Sequence, residues 1–472
     1  MRLRSEKACQ SRPKNYKMYY MQTTICAPAT GPGQSAVSLI RLSGPNALSI
    51  LHKITGGKKQ FPPREQVFCR IYDGKQILDE SLVTYFAAPR SFTGEDVVEF
   101  ALHGSAYIRG RLLELLCTNG AQPAKRGEFS YRAFLNGKMD LLQAQGLCDL
   151  IAAGNKAAHD LAVSSLDGRL SQKFADIKTA LTQLLAQIEA RLDDVDEEMP
   201  PLPVAQSLQI LQEQIAHLAR LANTFSIGKL LKEGLKVAIV GAPNCGKSSL
   251  LNALVGFDRA IVSDQSGTTR DTVEETLDLD GQKIILTDTA GIRDHALDPA
   301  EQEGMKRSLQ AIEKANIVLF VADLTRDLTK QEEDLWANVQ KANKPTVLVL
   351  NKTDEAPQGH CLLEKNAQYI QSVSCKKGNG IGELKKQLAA FVGSAAQQSD
   401  DGVMISNLRQ YQAVLDAQTE LESAQLQIKH NSGLELYAEH IRAALRALKD
   451  LTGEVTPDDV LDVIFSTFCL GK

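Results

Sequence analysis

The chain has 472 residues, of which 43% are hydrophobic and 23% charged, and this balance excludes an intrinsically disordered protein. Its formal net charge of −4 excludes a general electrostatic attraction to nucleic acid, although local basic patches stay open. No apolar run reaches the length of about 18 residues that a membrane-spanning helix needs. We therefore expect no membrane association. The nine cysteines include no C-x-x-C pair, which excludes the zinc-ribbon spacing, and their odd number in a long chain favours a reduced, cytoplasmic protein with free thiols.

The N-terminal part of the chain contains a basic extension and a small domain. Residues 1–20 lack the apolar segment of a secretory signal, so we interpret them as a disordered extension or the product of an upstream start codon. In residues 21–138, β-like runs separated by Gly/Pro turns occur at Ala36–Arg41, Ser81–Phe86 and Asp96–Leu102. One helix is predicted over Ala106–Thr118. This region is therefore predicted to be α+β.

Two later regions predict helices, and a different pattern separates them. Residues 139–233 and 396–472 carry apolar residues every three to four positions, which predicts one helical domain in two parts. Residues 234–395 alternate strand-like and helical segments, which is typical of a mostly parallel sheet with helices on both faces. The predicted strands are Leu235–Val240, Leu277–Leu279, Ile284–Leu286, Asn316–Ala322, Thr346–Leu350 and Tyr369–Val373. The predicted fold is therefore multidomain, α+β and α/β, with an α/β domain inserted into a helical one.

A glycine-rich loop follows the first strand of the α/β region. The segment Gly241–Ser248 matches the pattern G-x-x-x-x-G-K-S, with a strand before it and a helical segment after it. Such a loop surrounds phosphates with backbone N–H groups at a helix N-terminus. Lys247 is expected to reach the β- and γ-phosphates, and Ser248 to bind Mg²⁺.

Three further motifs follow in order, each after a strand. Asp288 to Gly291 reads Asp-Thr-Ala-Gly, in which the aspartate is placed to hold Mg²⁺ through water. Asn351 to Asp354 reads Asn-Lys-Thr-Asp, in which the last carboxylate can accept both N–H groups of guanine and so select GTP over ATP. The segment Ser374–Lys376 can offer a backbone N–H to the guanine carbonyl. Ligands bind at the carboxyl ends of such strands, so the four motifs together predict a P-loop GTPase.

The machinery for hydrolysis departs from the Ras-like pattern. Thr269, in the loop between the first two motifs, is the expected second hydroxyl on Mg²⁺. Ile292 stands where Ras-like GTPases have a glutamine that orients the attacking water, so another group must do this. Asn244 carries a side-chain carbonyl that can bind a monovalent cation against the phosphates, and a simple turn residue is the alternative.

These motifs, together with Ser91–Glu99, Arg126–Lys138 and Phe468–Lys472, resemble the MnmE (TrmE) family of tRNA modification GTPases. The resemblance extends from about Met21 to the last residue. It implies an N-terminal domain similar to folate-binding aminomethyltransferases, a central helical domain and an inserted Ras-like G domain. It also implies a homodimer, a heterotetramer with the flavoprotein MnmG (GidA), a tRNA substrate, and addition of an aminomethyl-type group at C5 of wobble uridines.

The resemblance also implies cofactors and site residues. The cofactors are GTP, Mg²⁺, K⁺ and 5,10-methylene-tetrahydrofolate or its 5-formyl form. The implied folate contacts are Arg41, Glu99, Lys138 and Lys472, for each of which a solvated surface charge is the alternative. The implied K⁺ ligands are Asn244, Ser263, Gln265 and Thr268. The implied catalytic residues are Lys247, Thr269 and the carboxylate of Glu301, with Glu303 as the weaker candidate.

The complete predicted GTP site comprises the residues of the motifs and of the loop between them. They are Asn244, Cys245, Gly246, Lys247, Ser248, Ser249, Ser263, Asp264, Gln265, Ser266, Gly267, Thr268, Thr269, Asp288, Thr289, Ala290, Gly291, Asn351, Lys352, Asp354, Ser374, Cys375 and Lys376.

The C-terminal tail and the overall function leave alternatives. The apolar segment Val460–Phe468 predicts a packed tail, which we expect to lie against the N-terminal domain of a partner subunit. Cys469 is either a reactive thiol near the folate or, as we expect, a small buried residue. A ribosome-assembly GTPase of the Era or Der kind is the alternative function, although such a protein has no use for the segment Arg126–Lys138.

Overall fold

The computed structural model describes residues 22–57, 59–193, 199–256, 273–288, 308–357, 359–396, 402–430, 433–469 and 471. These residues form two compact units. The first combines the residues up to Cys148 with Lys449 and those after it, and the second runs from Asp149 to Leu448. The five segments into which the sequence divides the chain stay a prediction.

The strands and helices follow one another along the chain with the bounds given next. The strands are β1 (Thr24–Pro28), β2 (Ser35–Ser43), β3 (Gln66–Asp73), β4 (Gln76–Phe86), β5 (Val97–Gly104), β6 (Ala121–Pro123), β7 (Leu235–Val240), β8 (Val273–Leu279), β9 (Gln282–Asp288), β10 (Ile317–Asp323), β11 (Thr346–Asn351) and β12 (Tyr369–Ser372). The helices are α1 (Ala47–Ile54), α2 (Ala106–Thr118), α3 (Glu128–Leu135), α4 (Leu141–Ala152), α5 (Lys156–Leu166), α6 (Arg169–Leu192), α7 (Val204–Asn223), α8 (Phe225–Glu233), α9 (Lys247–Val255), α10 (Lys330–Lys341), α11 (Ile381–Ala396), α12 (Leu408–Lys429), α13 (Leu434–Thr452) and α14 (Asp458–Ser466).

The first unit is built on a sheet with the strand order β3-β4-β5-β2-β1-β6. Its neighbouring strands are antiparallel except β1 and β6, which are parallel. Buried and exposed side chains alternate along β4, so one sheet face packs on α1 and α2 while Phe68 and Leu82 on the other face are exposed. The helix predicted over Ala106–Thr118 is confirmed at both ends.

The second unit contains a sheet with the order β12-β11-β10-β7-β9-β8, parallel except for the β8–β9 pair. Every residue of β10 and β11 is buried, because apolar clusters cover both faces of the sheet. A strand covered on both faces needs a continuous apolar run, and β10 and β11 have one. The strands β7, β10 and β11 end at the same edge, where the loops after them meet.

The two helical regions that flank this sheet in the sequence pack together. Buried residues recur at intervals of three and four along α7, from Ser207 to Leu221, and along α12, from Gln410 to Ile428. The buried faces of α7 and α12 pack against each other. The α/β region therefore lies, in the sequence, between two helices that are neighbours in the structure. The predicted multidomain combination of α+β and α/β parts is confirmed in this coarse form.

Helices also cover one end of the inserted sheet. Leu161 of α5 and Leu231 of α8 belong to the same buried cluster as Val237 of β7 and Leu286 of β9. The backbone N–H of Ala157 donates to the carbonyl of Gly281 in the β8–β9 turn, at 3.2 Å. Within the ranges described above, no helix is long and apolar enough to cross a membrane.

The C-terminal helix is anchored in the first unit by aromatic side chains. Phe465 of α14 lies 5.1 Å from the ring of Tyr131 and 5.0 Å from that of Phe468, and all three are buried with Leu141. The predicted packing of the apolar segment before the tail is therefore confirmed.

We expect Phe465→Ala to lower the free energy of unfolding by about 3–5 kcal/mol, because the truncation leaves a cavity among buried rings. Thermal and denaturant unfolding of the full chain measure this. Val463→Ala is the matched control on the same helix, since Val463 is 67% exposed and its truncation should change stability by less than about 0.5 kcal/mol. Equal losses in the two variants would contradict the anchoring role.

Candidate functional site

The glycine-rich loop between β7 and α9 depends on the absence of a side chain at Gly246. This residue has φ of 99°, and a Cβ here would lie 2.1 Å from Asn351 Nδ2. Lys247 is buried beneath the loop, and its Nζ donates to the carbonyls of Gly241 at 3.0 Å and Ala242 at 2.7 Å. The loop therefore curves around this ammonium group, as expected of a phosphate-binding loop.

One buried amide connects this loop to a second one. Asn351, at the end of β11, is 2% exposed. Its Nδ2 donates to the carbonyl of Cys245 at 3.0 Å, and its Oδ1 accepts from the backbone N–H of Cys375 at 3.3 Å. The glycine-rich loop and the segment Ser374–Lys376 are thus held side by side. Burial raises the pKa of the Cys245 thiol and that of the Cys375 thiol, the latter to about 11, so both stay protonated at neutral pH.

The carboxylate predicted to recognise guanine lies at the same edge of the sheet. Asp354 Oδ1 accepts from the hydroxyl of Ser374 at 2.7 Å, and this hydrogen bond lowers the pKa of the carboxyl. The group is ionised at neutral pH and can accept two N–H donors. Ser248 and Ser249 are exposed in the first turn of α9, where the positive end of the helix dipole favours an anion.

These loops enclose a cavity of about 390 Å³, a volume within the range of ordinary ligand pockets. All its lining residues except Glu355 belong to the predicted GTP set. They are Asn244, Gly246, Ser249, Asn351, Lys352, Asp354, Glu355, Cys375 and Lys376. Asn244 adopts φ of 62° and exposes its side chain at the cavity.

Asp323 was not predicted as a site residue; it lies at the end of β10 with a side chain 5% exposed. Its Oδ2 accepts from Lys352 Nζ at 2.5 Å, and its Oδ1 accepts from the backbone N–H and the hydroxyl of Thr325. Burial alone would raise the pKa of this carboxyl, but the hydrogen bonds from Lys352 and Thr325 lower it below its usual value. Its position directly after a predicted strand was the available signal.

The remaining predicted residues of this site are placed only in part. Asp288 ends β9 opposite Ile239 of β7, so its backbone lies beside the start of the glycine-rich loop. The others lie outside the described residues, and their roles stay predictions. They are Ser263, Asp264, Gln265, Ser266, Gly267, Thr268, Thr269, Thr289, Ala290, Gly291, Glu301 and its alternative Glu303.

A second candidate site lies on the sheet of the first unit. Arg41 of β2 stands opposite Glu99 of β5, and its Nε and Nη2 donate to Glu99 Oε1 at 2.9 and 2.8 Å. The Arg41 guanidinium also lies over the rings of Phe92 and Phe129, at 5.1 and 5.7 Å from their centroids. This places a carboxylate, a cation and aromatic faces within one neighbourhood.

The C-terminal tail lies next to Arg41 of its own chain. The sequence instead predicts that the tail packs against the N-terminal domain of a partner subunit. Arg41 Nη1 donates to the carbonyl of Gly471 at 3.2 Å. Gly471 has φ of 88°, and a Cβ there would lie 2.1 Å from the carbonyl oxygen of Pro28, so only glycine fits. Cys469 is exposed, so the expectation of a small buried residue is wrong. Lys472 lies outside the described residues.

Lys138 lies beside the residues that precede β5, which include Pro89 and Thr93. Asn136 Nδ2 donates to the carbonyl of Thr93 at 2.7 Å, and Lys138 Nζ donates to the carbonyl of Pro89 at 3.2 Å. A cavity of about 500 Å³ opens here, and Phe92 and Lys138 both line it. The segments Ser91–Glu99 and Arg126–Lys138, which are distant in sequence, are therefore adjacent.

Comparison with known proteins covers nearly the whole chain. A family model described as the GTP-binding protein TrmE N-terminus matches residues 24–138, and one described as the MnmE helical domain matches residues 141–469. The tRNA modification GTPase MnmE of Aquifex aeolicus (strain VF5) is 40% identical over 455 residues, which are 96% of this chain and 100% of the relative. The chain belongs to the MnmE family. The MnmE of Chromobacterium violaceum is 39% identical over 96% of this chain and 99% of its own.

Solved structures are also similar to part of this MnmE family member. The G domain of the FeoB iron transporter of T. maritima is 28% identical, covering 33% of this chain and 98% of that chain with a TM-score of 0.26. A variant of Era from Aquifex aeolicus bound to GDP and aluminium fluoride is also 28% identical, covering 39% of this chain and 65% of that chain with a TM-score of 0.26. The family predicted from the sequence is confirmed by the relatives above.

We expect Asp323→Asn to weaken GTP binding about tenfold while changing kcat little, because the amide keeps the Thr325 contacts but removes the ion pair that positions Lys352. Steady-state GTPase kinetics and GDP binding measure this. Asp327→Asn, an exposed carboxylate four residues later, is the matched control. A fall in kcat with unchanged affinity would contradict the positioning role.

Proposed function

We propose that this MnmE family member is a GTP-hydrolysing enzyme that acts with the flavoprotein MnmG in a heterotetramer. Together they would add a carboxymethylaminomethyl or aminomethyl group at C5 of the wobble uridine in certain tRNAs. The proposal is carried by the match to MnmE relatives over 96% of the chain, because the N-terminal segments and the tail then accompany the GTPase motifs. Its location is the cytoplasm, where tRNAs are used.

The cavity at the edge of the inserted sheet supports GTP as the substrate. Asp354 would accept two N–H groups of guanine, while the glycine-rich loop and Lys247 would surround the phosphates. Ser248, exposed at the start of α9, would hold Mg²⁺ together with Thr269, and Asp288 would hold it through water. A hydroxyl and carboxylate donor set suits Mg²⁺, which would neutralise charge on the β- and γ-phosphates.

Hydrolysis in this proposal depends on a cation and a carboxylate. Asn244 would bind K⁺ against the phosphates with oxygens from Ser263, Gln265 and Thr268, which closes the loop before β8. The charge of K⁺ would stand in place of an arginine finger. Glu301 would orient the attacking water, because Ile292 cannot. A cycle of G-domain dimerisation between two subunits would accompany each turnover.

The N-terminal unit would supply the one-carbon unit from a bound folate. The carboxylate of Glu99 can pair with a pterin edge while Arg41 holds it in position, and the cations Lys138 and Lys472 can bind an anionic glutamate tail. The side-by-side placement of Arg41, Glu99 and Phe92 supports this assignment. The homodimer in this proposal forms through the N-terminal domains.

We expect GTPase turnover to be at least about tenfold faster in KCl than in NaCl at equal ionic strength, because a fixed cation stabilises charge that develops in the transition state. Asn244→Ala should lose most of this difference. Asn252→Ala, an exposed asparagine on α9, should retain it. Equal wild-type rates in the two salts would remove the potassium assignment.

The function is tested by mass spectrometry of wobble uridines in cells that lack this protein. We expect the modified bases to disappear and to return with the wild-type gene. Glu301→Ala should bind GTP normally but fail to restore them, because a carboxylate that orients water contributes on the order of 10²–10⁴-fold to the rate. Unchanged wobble uridines in the deletion strain would favour the ribosome-assembly alternative instead.

A further inference from the structure

The cavity beside Lys138 carries an excess of positive charge. Its lining residues are Arg64, Phe86, Arg90, Ser91, Phe92 and Lys138. Three of these are cations and none is an acid. Within the part of the chain that the structure describes, none of the three cations pairs with a carboxylate.

Backbone contacts hold two of these cations in place without neutralising them. Arg64 Nη2 donates to the carbonyl of Arg90 at 3.1 Å, and the backbone N–H of Arg64 donates to the carbonyl of Tyr85 at 2.7 Å. Lys138 Nζ donates to the carbonyl of Pro89 at 3.2 Å. A carbonyl accepts a hydrogen bond but carries no net charge, so the cavity keeps its positive potential for a ligand.

The side chain of Phe92 connects the cavity to the pair formed by Arg41 and Glu99. The ring of Phe92 lines the cavity and also lies under the guanidinium of Arg41, 5.1 Å from its centroid. A ligand that places a heteroaromatic ring at Glu99 would therefore pass Phe92 before it reaches the three cations. An elongated molecule with an aromatic body and an anionic end has this shape and charge.

We propose that this cavity binds the oligo-γ-glutamate tail of the folate, with Arg64 and Arg90 as the residues that select it. The inference rests on the folate use proposed above and extends it to the length of the tail. A monoglutamate tail has two carboxylates, and each further γ-linked glutamate adds one. Three cations therefore match a diglutamate or longer tail, and guanidinium groups bind carboxylates through strong charge-assisted hydrogen bonds.

The test compares 5-formyl-tetrahydrofolate carrying one glutamate with the same folate carrying three, by calorimetric titration of the full-length, nucleotide-free protein. We expect the triglutamate to bind at least about tenfold more tightly. Arg64→Gln and Arg90→Gln should each lose most of that difference, and the double variant should lose all of it. Arg70→Gln is the matched control, because Arg70 lies on the same sheet but pairs with Glu80 outside the cavity.

The outcomes separate this inference from the folate proposal. Equal affinities of the wild-type protein for the two folates overturn the inference and leave the folate proposal standing. No binding of either folate overturns both. A preference for the triglutamate that survives in the double variant overturns the assignment to Arg64 and Arg90. Both side chains are exposed, so their replacement should leave the melting temperature unchanged.

Discussion

The nucleotide site of this MnmE family member depends on the side-chain amide of Asn351. A buried group must both donate and accept here, since the carbonyl of Cys245 needs a donor and the N–H of Cys375 needs an acceptor. An aspartate lacks the donor and a leucine lacks both, so each would leave a buried polar group unpaired. Because Gly246 leaves no more space than this amide fills, the glycine-rich loop and the segment Ser374–Lys376 are fixed relative to each other.

In the first unit, the buried side chain of Arg132 links two segments of the chain, as Asn351 does in the second unit. Arg132 is 1% exposed and donates to Glu95, to Glu128 and to the carbonyl of Thr23. Burial raises the pKa of Glu95, and the adjacent Arg132 opposes that rise. Removing Arg132 would leave the carboxylates of Glu95 and Glu128 without their shared counter-charge, and such a loss is costly at a buried site. The segment that carries Lys138 is thereby tied to the segment that carries Glu99.

The sequence predicted those parts whose pattern is local. The buried strands β10 and β11 are continuous apolar runs, and the glycine-rich loop stands between a strand and a helix, so both were found. Strand β3 was missed, because the exposed Phe68 on its outer face disturbs the alternation of apolar and polar residues, so that only its pairing with β4 defines it. Asp323 was missed for a related reason, since its importance comes from Lys352, which is distant in the sequence. The tail was predicted to be packed, but an apolar pattern cannot say which subunit supplies the partner.

The attachment of the α/β region to the helices also depends on a contact between residues that are distant in the sequence. The sequence shows only that the chain enters and leaves the helical region near residues 233 and 396. The structure adds a third connection, because the carbonyl of Gly281 in the β8–β9 turn accepts a hydrogen bond from the backbone N–H of Ala157 at the start of α5. Strand β9 runs from beside this turn to Asp288, the first residue of the Asp-Thr-Ala-Gly motif. Strand β9 therefore connects the turn that is bonded to α5 with the sheet edge that carries this motif, and the α/β region is held by packing on α5 and α8 as well as by its linkers.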